Sequence, residues 1–168
     1  MDQKNFITEF ENTIRLITDL FPSAETLIKP TLFHSIRVGI YLYEREYSRD
    51  ICLAALLHDT LEDTSFTLHD IEKKFGDRIA ELVMANTKDM SVEKSQRSEE
   101  LIKRCAAHSE DALIVKAADI RDNIMYYTRI GNADELEHMK RNARFVIQYK
   151  SEKYTDSIFE ELRAILLA

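Results

Sequence analysis

Residues 53–67, LAALLHDTLEDTSFT, decide how this chain is read. Five aliphatic residues in a row, 53–57, predict a helix buried in a core. The positions that follow hold His58, Asp59, Glu62 and Asp63. Residues three and four apart share one face of a helix. If the helix continues, His58 meets Glu62 and Asp59 meets both Glu62 and Asp63. Burying such groups uncompensated costs several kcal/mol each. A divalent cation is the economical compensation. Imidazole nitrogen is a borderline ligand and carboxylate oxygen a harder one, a mixture that suits Mn, Fe, Co, Ni or Zn.

The surrounding chain reads as all-α. Only 3 Gly and 2 Pro occur in 168 residues, too few to punctuate many strands and turns. Phe6, Phe10, Ile14 and Ile17 recur at helical spacing over residues 3–20. A second helix starts near Pro30 or Thr31 and runs to about Tyr43, and Ser48 suits the N-cap of the helix carrying DICLAALLHD. TLHDIEKKFG offers a Thr67 cap with an acidic residue three positions on and Gly76 as terminator. DRIAELVMANTK continues as a helix, and the polar stretch KDMSVEKSQRSEE after it has no clear apolar face and reads as a mobile loop beside a pocket. Residues 111–129 return to a buried helical pattern ended by Gly131, with Asn132 and Glu135 resembling a cap and its partner. Leu136, Met139, Ala143, Val146, Tyr154, Ile158, Leu162 and Ile165 continue at three- and four-residue steps, as two helices or one bent one.

No repeat or linker divides the chain, so the expectation is one domain over 1–168, with a motif-bearing core at about 30–130 and C-terminal helices at 132–168. Cys52 and Cys105 form neither a CxxC knuckle nor a disulfide framework. The opening MDQKNFITEF is not a secretory signal, and no apolar run is long enough to span a bilayer, which makes a cytoplasmic protein without a membrane partner the expectation. A net charge of −7 argues against nucleic-acid binding but leaves room for an anionic small molecule.

The His-Asp doublet needs further ligands. His34 sits in the apolar segment LFHSIRVGIYL, and Asp119 follows the aliphatic run in LIVKAADIRDN. Alone, each suits a satisfied core residue; together with His58-Asp59 they suit a metal. His69, His108 and His138 have polar neighbours and are expected at the surface, and EKSQRSEELIKR is expected to be a solvated face.

The pieces AALLHDTLEDT, HDIEKKFGDRIAELV, ANTKDM and VKAADIRDN, in that order, resemble segments of the HD superfamily of metal-dependent phosphohydrolases. The chain is most similar to the hydrolase domain of RelA/SpoT enzymes and their stand-alone forms, including the metazoan SpoT homologues. The resemblance, over about residues 33–125, implies a helical HD bundle and Mn²⁺-dependent removal of the 3′-pyrophosphate from guanosine tetra- and pentaphosphate. It implies His34, His58, Asp59 and Asp119 as metal ligands, Glu62 and Asp63 as the acidic pair acting on the attacking water, and Asn123 as a nucleotide contact. Lys88, Lys116 and Arg121 are the cations nearest the motifs that could absorb charge on a phosphoryl group. Lys116 equally suits a structural partner for a buried carboxylate.

The segment ahead of His34 departs from the family. FPSAETLIKPTLFHS has neither Gly nor Arg and only Lys29 as a cation, where the family carries a basic, Gly-containing stretch that helps hold guanine and ribose. Ser35 replaces a usual Pro, and Ile120 a usual basic residue. Three readings stand: a guanosine-3′,5′-bis(diphosphate) 3′-pyrophosphohydrolase, an HD hydrolase of another nucleotide or small phosphorylated metabolite, and a non-catalytic metal- or nucleotide-binding module. Oligomeric state is open.

Overall fold

A computed structural model describes residues 3–22 and 29–167. Among the described residues it contains ten α-helices and no strand. The chain divides into two compact units, Met1–Thr87 and Lys88–Ala168. No described helix is long and apolar enough to cross a membrane.

The first unit is organised around α3 (Arg49–Leu57), against which α1 (Gln3–Leu20), α2 (Thr31–Tyr43) and α6 (Asp77–Asn86) pack. All seven residues from Ile51 to Leu57 are buried, so this helix is apolar on every side. Ser48 caps it as expected, its hydroxyl accepting from the Ile51 amide. Phe10, Thr13 and Ile17 form the buried stripe of α1, and Phe6 and Phe10 pack on Tyr43 of α2. Arg49 ties α3 to α1 through a two-pronged pair with Glu9, donating from Nε at 2.6 Å and from Nη2 at 2.5 Å.

In α5 (Leu68–Phe75), Thr67 and Asp70 form the capping box, and Gly76 separates this helix from α6. Gly76 has φ of +92°, a conformation that a side chain would strain.

In the second unit α8 (Glu110–Ile130) is the central helix, packed by α7 (Arg97–His108), α9 (Ala133–Tyr149) and α10 (Ser157–Leu167). Every residue from Ala112 to Ile120 is buried. Gly131 ends α8 in the left-handed region at φ +72°, and the Asn132 side chain accepts from the Glu135 amide to start α9. The C-terminal apolar pattern thus belongs to two helices. Tyr154, between them, donates from its hydroxyl to the Ala106 carbonyl on α7 at 3.0 Å.

Two expectations need correction. The polar stretch read as a loop is loop only to Gln96, because α7 begins at Arg97. Its buried residues, Leu101, Ile102 and Cys105, lie just beyond the stretch, which is why no apolar face was visible within it. Arg97 also closes the preceding turns by donating to the Val92 and Met90 carbonyls. His138 is half-buried rather than at the surface. Burial lowers its pKa first and the Arg141 charge second, while Arg141 Nη2 donates to its Nδ1 at 2.7 Å. His69 and His108 are exposed as expected. Both cysteines are buried, which pushes the Cys52 thiol up to about 12 and that of Cys105 up to about 11. Neither is a thiolate nucleophile near neutrality.

Gly39 sets the approach of α2 to α3. A Cβ there would lie 2.5 Å from Leu56 Cδ2 and 2.7 Å from Leu56 Cγ, and Leu56 is fully buried. Overpacking of this kind costs about 1–3 kcal/mol, more than the roughly 0.5–1 kcal/mol a helix gains when Gly becomes Ala. Gly39→Ala is therefore expected to lower the Tm by several degrees in thermal unfolding, at roughly 2–4 °C per kcal/mol for a chain of this size. A raised Tm would mean that α2 and α3 can part without loss.

Candidate metal centre

The apolar helix α3 stops where its ionisable residues begin. Leu57 is its last residue, His58 its C-cap, and Asp59 occupies a turn at φ −94° and ψ −4°. A separate single turn, α4 (Thr60–Asp63), follows. The continuous helix that would stack His58 on Glu62 is therefore absent. Within the break, Thr60 donates from its buried hydroxyl to the Leu57 carbonyl at 2.6 Å.

The break brings three side chains of the first unit together. His34, the fourth residue of α2, is 1% exposed and His58 likewise 1%. Their rings lie edge to face with centroids 5.2 Å apart. Asp59 lies between them in chemical terms: its Oδ1 is 3.3 Å from His58 Nε2 and its Oδ2 is 3.9 Å from His34 Nε2. One ligand atom from each of the three falls within 4.8 Å of the others.

The donor set suits a cation. His58 Nδ1 stands 2.8 Å from the Ala55 carbonyl, an acceptor, which assigns the ring proton to Nδ1. In the neutral ring Nε2 then presents its lone pair towards the partly buried Asp59 carboxylate. A hydrogen bond from the other ring nitrogen to a carbonyl is the usual way a metal-binding imidazole is oriented. Metal–ligand bonds of about 2.0–2.2 Å place neighbouring ligand atoms about 3.0–3.5 Å apart; the His58–Asp59 separation of 3.3 Å falls in that range, and the His34–Asp59 separation of 3.9 Å is wider.

Glu62 and Asp63 follow Asp59 within one turn, and both backbone amides donate to the Asp59 carbonyl, at 3.2 and 3.0 Å. Glu62 is half-buried and Asp63 exposed. Their carboxylates thus belong to the same short turn as Asp59 while keeping access to water.

The remaining candidates lie in the second unit. Asp119 is buried on α8, where Lys116 Nζ donates to its Oδ2 at 2.8 Å and Asn123 Nδ2 to its Oδ1 at 2.6 Å. These are the i−3 and i+4 positions, so one helix face holds a buried carboxylate between two donors. The structural role anticipated for Lys116 is thereby observed. Arg121 donates to Glu161 of α10 at 2.8 Å, and Lys88 is exposed at the start of the unit.

Sequence reasoning passed over Thr60, whose signal was a buried hydroxyl directly after the doublet. Ser35 was noticed only as a departure from the family. It is fully buried, and its hydroxyl has no hydrogen-bond partner among the described residues. Residues 23–28, SAETLI, which carry much of the altered segment ahead of His34, lie outside the described residues.

Comparison with known proteins places this geometry in context. Residues 22–164 match the HD domain family. The chain is 38% identical over 97 residues to the guanosine-3′,5′-bis(diphosphate) 3′-pyrophosphohydrolase MESH1 of Drosophila melanogaster, covering 56% of this chain and 54% of that protein. It is 37% identical over 99 residues to the guanosine-3′,5′-bis(diphosphate) 3′-pyrophosphohydrolase of Aquifex aeolicus (strain VF5), covering 57% of this chain and 14% of that one. These matches span only part of each relative. A solved structure of a metazoan ortholog of SpoT that hydrolyzes ppGpp superposes with a TM-score of 0.77 at 25% identity, covering 94% of this chain and 93% of that one. With the match running through most of its length, the chain belongs to the HD domain family.

Proposed function

We propose that this protein is a metal-dependent phosphohydrolase that removes the 3′-pyrophosphate of guanosine-3′,5′-bis(diphosphate), with Mn²⁺ as its ion. The observation that carries the proposal is the cluster of buried His34 and His58 with half-buried Asp59, followed by two further carboxylates in the next turn. The named activity of the relatives supports it. The family match extends from residue 22 to 164, which supports one functional domain over the whole chain.

In this reading His34, His58, Asp59 and Asp119 hold the ion. It supplies positive charge for the phosphoryl oxygens and acidity for a water molecule. Glu62 and Asp63 orient that water and accept its proton; the half-buried Glu62 has the environment better suited to a base. Lys116 and Asn123 hold the Asp119 carboxylate by donating to its two oxygens. The proposal keeps Asn123 and Lys116 as candidate substrate contacts alongside Lys88 and Arg121.

A second reading, hydrolysis of another nucleotide or small phosphorylated metabolite, is favoured by the lack of Gly and Arg in FPSAETLIKPTLFHS. The two readings share their ion and water chemistry and differ in substrate. Pyrophosphate release from guanosine tetraphosphate with Mn²⁺, beside a panel of other nucleotides and sugar phosphates, separates them. Activity confined to the guanosine polyphosphates supports the first reading, and metal-dependent phosphate release elsewhere in the panel supports the second.

Asp59→Ala is expected to abolish metal binding and turnover together, measured by calorimetric titration and product release. Glu62→Gln is expected to bind Mn²⁺ as the wild type does while losing about 10²–10⁴-fold in kcat, the usual worth of a positioned acid or base. Full activity in that variant would remove Glu62 from the mechanism.

Ligand binding raises stability by mass action. Mn²⁺ is therefore expected to raise the Tm of the wild type well above that of chelated protein, and Asp119→Asn to lose most of this increment. The amide oxygen can still accept from Lys116, which limits damage to the fold. An undiminished Mn²⁺ increment would make Asp119 a structural residue.

A further inference from the structure

Helices α9 and α10 of the second unit leave an open groove between them, about 440 Å³ in volume. Its lining follows one spacing on both helices. From α9 come Arg144 and, three and four residues on, Ile147 and Gln148. From α10 come Arg163 and, three and four residues on, Leu166 and Leu167. Residues so spaced share a helix face, so each helix turns an arginine and part of the floor to the same side. Among the described residues the lining is aliphatic, cationic or a neutral amide, with no carboxylate. Leu167 is 90% exposed, the highest value of any large hydrophobic described.

Both guanidiniums have partners on their own helices. Arg144 Nη1 meets Glu137 Oε1 at 2.8 Å, and Arg163 Nη1 meets Glu160 Oε1 at 3.2 Å, all four side chains being exposed. Ion pairs of that kind contribute little to stability, so carboxylates from another molecule can replace them readily. Lys140 and Arg141, four and three residues before Arg144, add positive charge to the same side of α9. Cations therefore outnumber Glu137 and Glu160 around the groove, in a chain whose net charge is −7.

This local excess selects an acidic occupant by charge complementarity. A second copy applied through the same face would bring the arginines against their own equivalents, because a two-fold contact matches a patch with itself. A small amphiphile is covered too little in so open a groove, since small-molecule sites bury most of their ligand. An amphipathic helix lays an apolar ridge along such a groove and keeps its charged flanks at the rim.

We propose that the α9–α10 groove is the docking site for an acidic amphipathic helix of a partner protein. Its apolar ridge covers Ile147, Leu166 and Leu167, and its carboxylates meet Arg144 and Arg163. The proposal does not depend on the phosphohydrolase reading and gives the groove no part in the chemistry.

The probe is a fluorescein-labelled synthetic helix with one leucine stripe flanked by glutamates, and its control has lysines in their place. In fluorescence anisotropy the full chain is expected to bind the glutamate helix saturably, and the lysine helix about tenfold or more weakly. The Arg144→Glu, Arg163→Glu double variant is expected to reverse that order with little change in Tm, both sites being exposed. Leu167→Glu is expected to weaken the glutamate helix, and Asp59→Ala to bind it as the wild type does. Absence of binding, equal affinity for the two helices, or an unreversed order in the double variant overturns the proposal. A dimer in sedimentation that Leu167→Glu disperses assigns the groove to a second copy and overturns it as well. So does saturable binding of decanoate without binding of the glutamate helix.

Discussion

Two imidazoles and a carboxylate packed at the end of an apolar helix are the constraint on which the first unit depends. Each such group costs several kcal/mol if left uncompensated, and the chain meets that cost by specific means. The Ala55 carbonyl takes the His58 ring proton, leaving Nε2 facing Asp59. The helix ends at Leu57, so that Asp59 sits in a turn beside both histidines. The compensation left to supply is positive charge, which is what a divalent ion brings.

The buried carboxylate of the second unit is handled differently. Asp119 is met by an ammonium and an amide from its own helix, one turn to either side. His34, His58 and Asp59 bring two imidazoles and a carboxylate within 4.8 Å of one another. Asp119 instead has both oxygens accepting, from Lys116 and Asn123, which orients its carboxylate. The rigidity of the surrounding α8 segment, buried from Ala112 to Ile120, serves the same end.

Reaction and recognition separate along the chain. The proposed ion ligands and water-handling carboxylates come from the end of α3, the turn after it, α2 and α8. The departures ahead of His34 lie outside that set, in a segment whose residues 23–28 are beyond the described residues.

The sequence by itself determined the helical class, the caps at Ser48, Thr67 and Asn132, and the terminators at Gly76 and Gly131, and it singled out the His-Asp doublet and His34, which the structure gathers into one cluster. These are legible because capping and left-handed turns are local, and because a polar doublet after five aliphatic residues is conspicuous. The family-specific spacing of HDTLED added the acidic pair. Tertiary structure decided what local pattern could not. It ended α3 at Leu57, directly before the ionisable residues. It made a helix of residues whose apolar anchors, Leu101 and Ile102, lay just outside the polar stretch. It half-buried His138 among polar neighbours and left Phe33 exposed among buried ones. Periodicity reports which side of a helix is apolar; which side finds a neighbour depends on contacts between residues far apart in the chain.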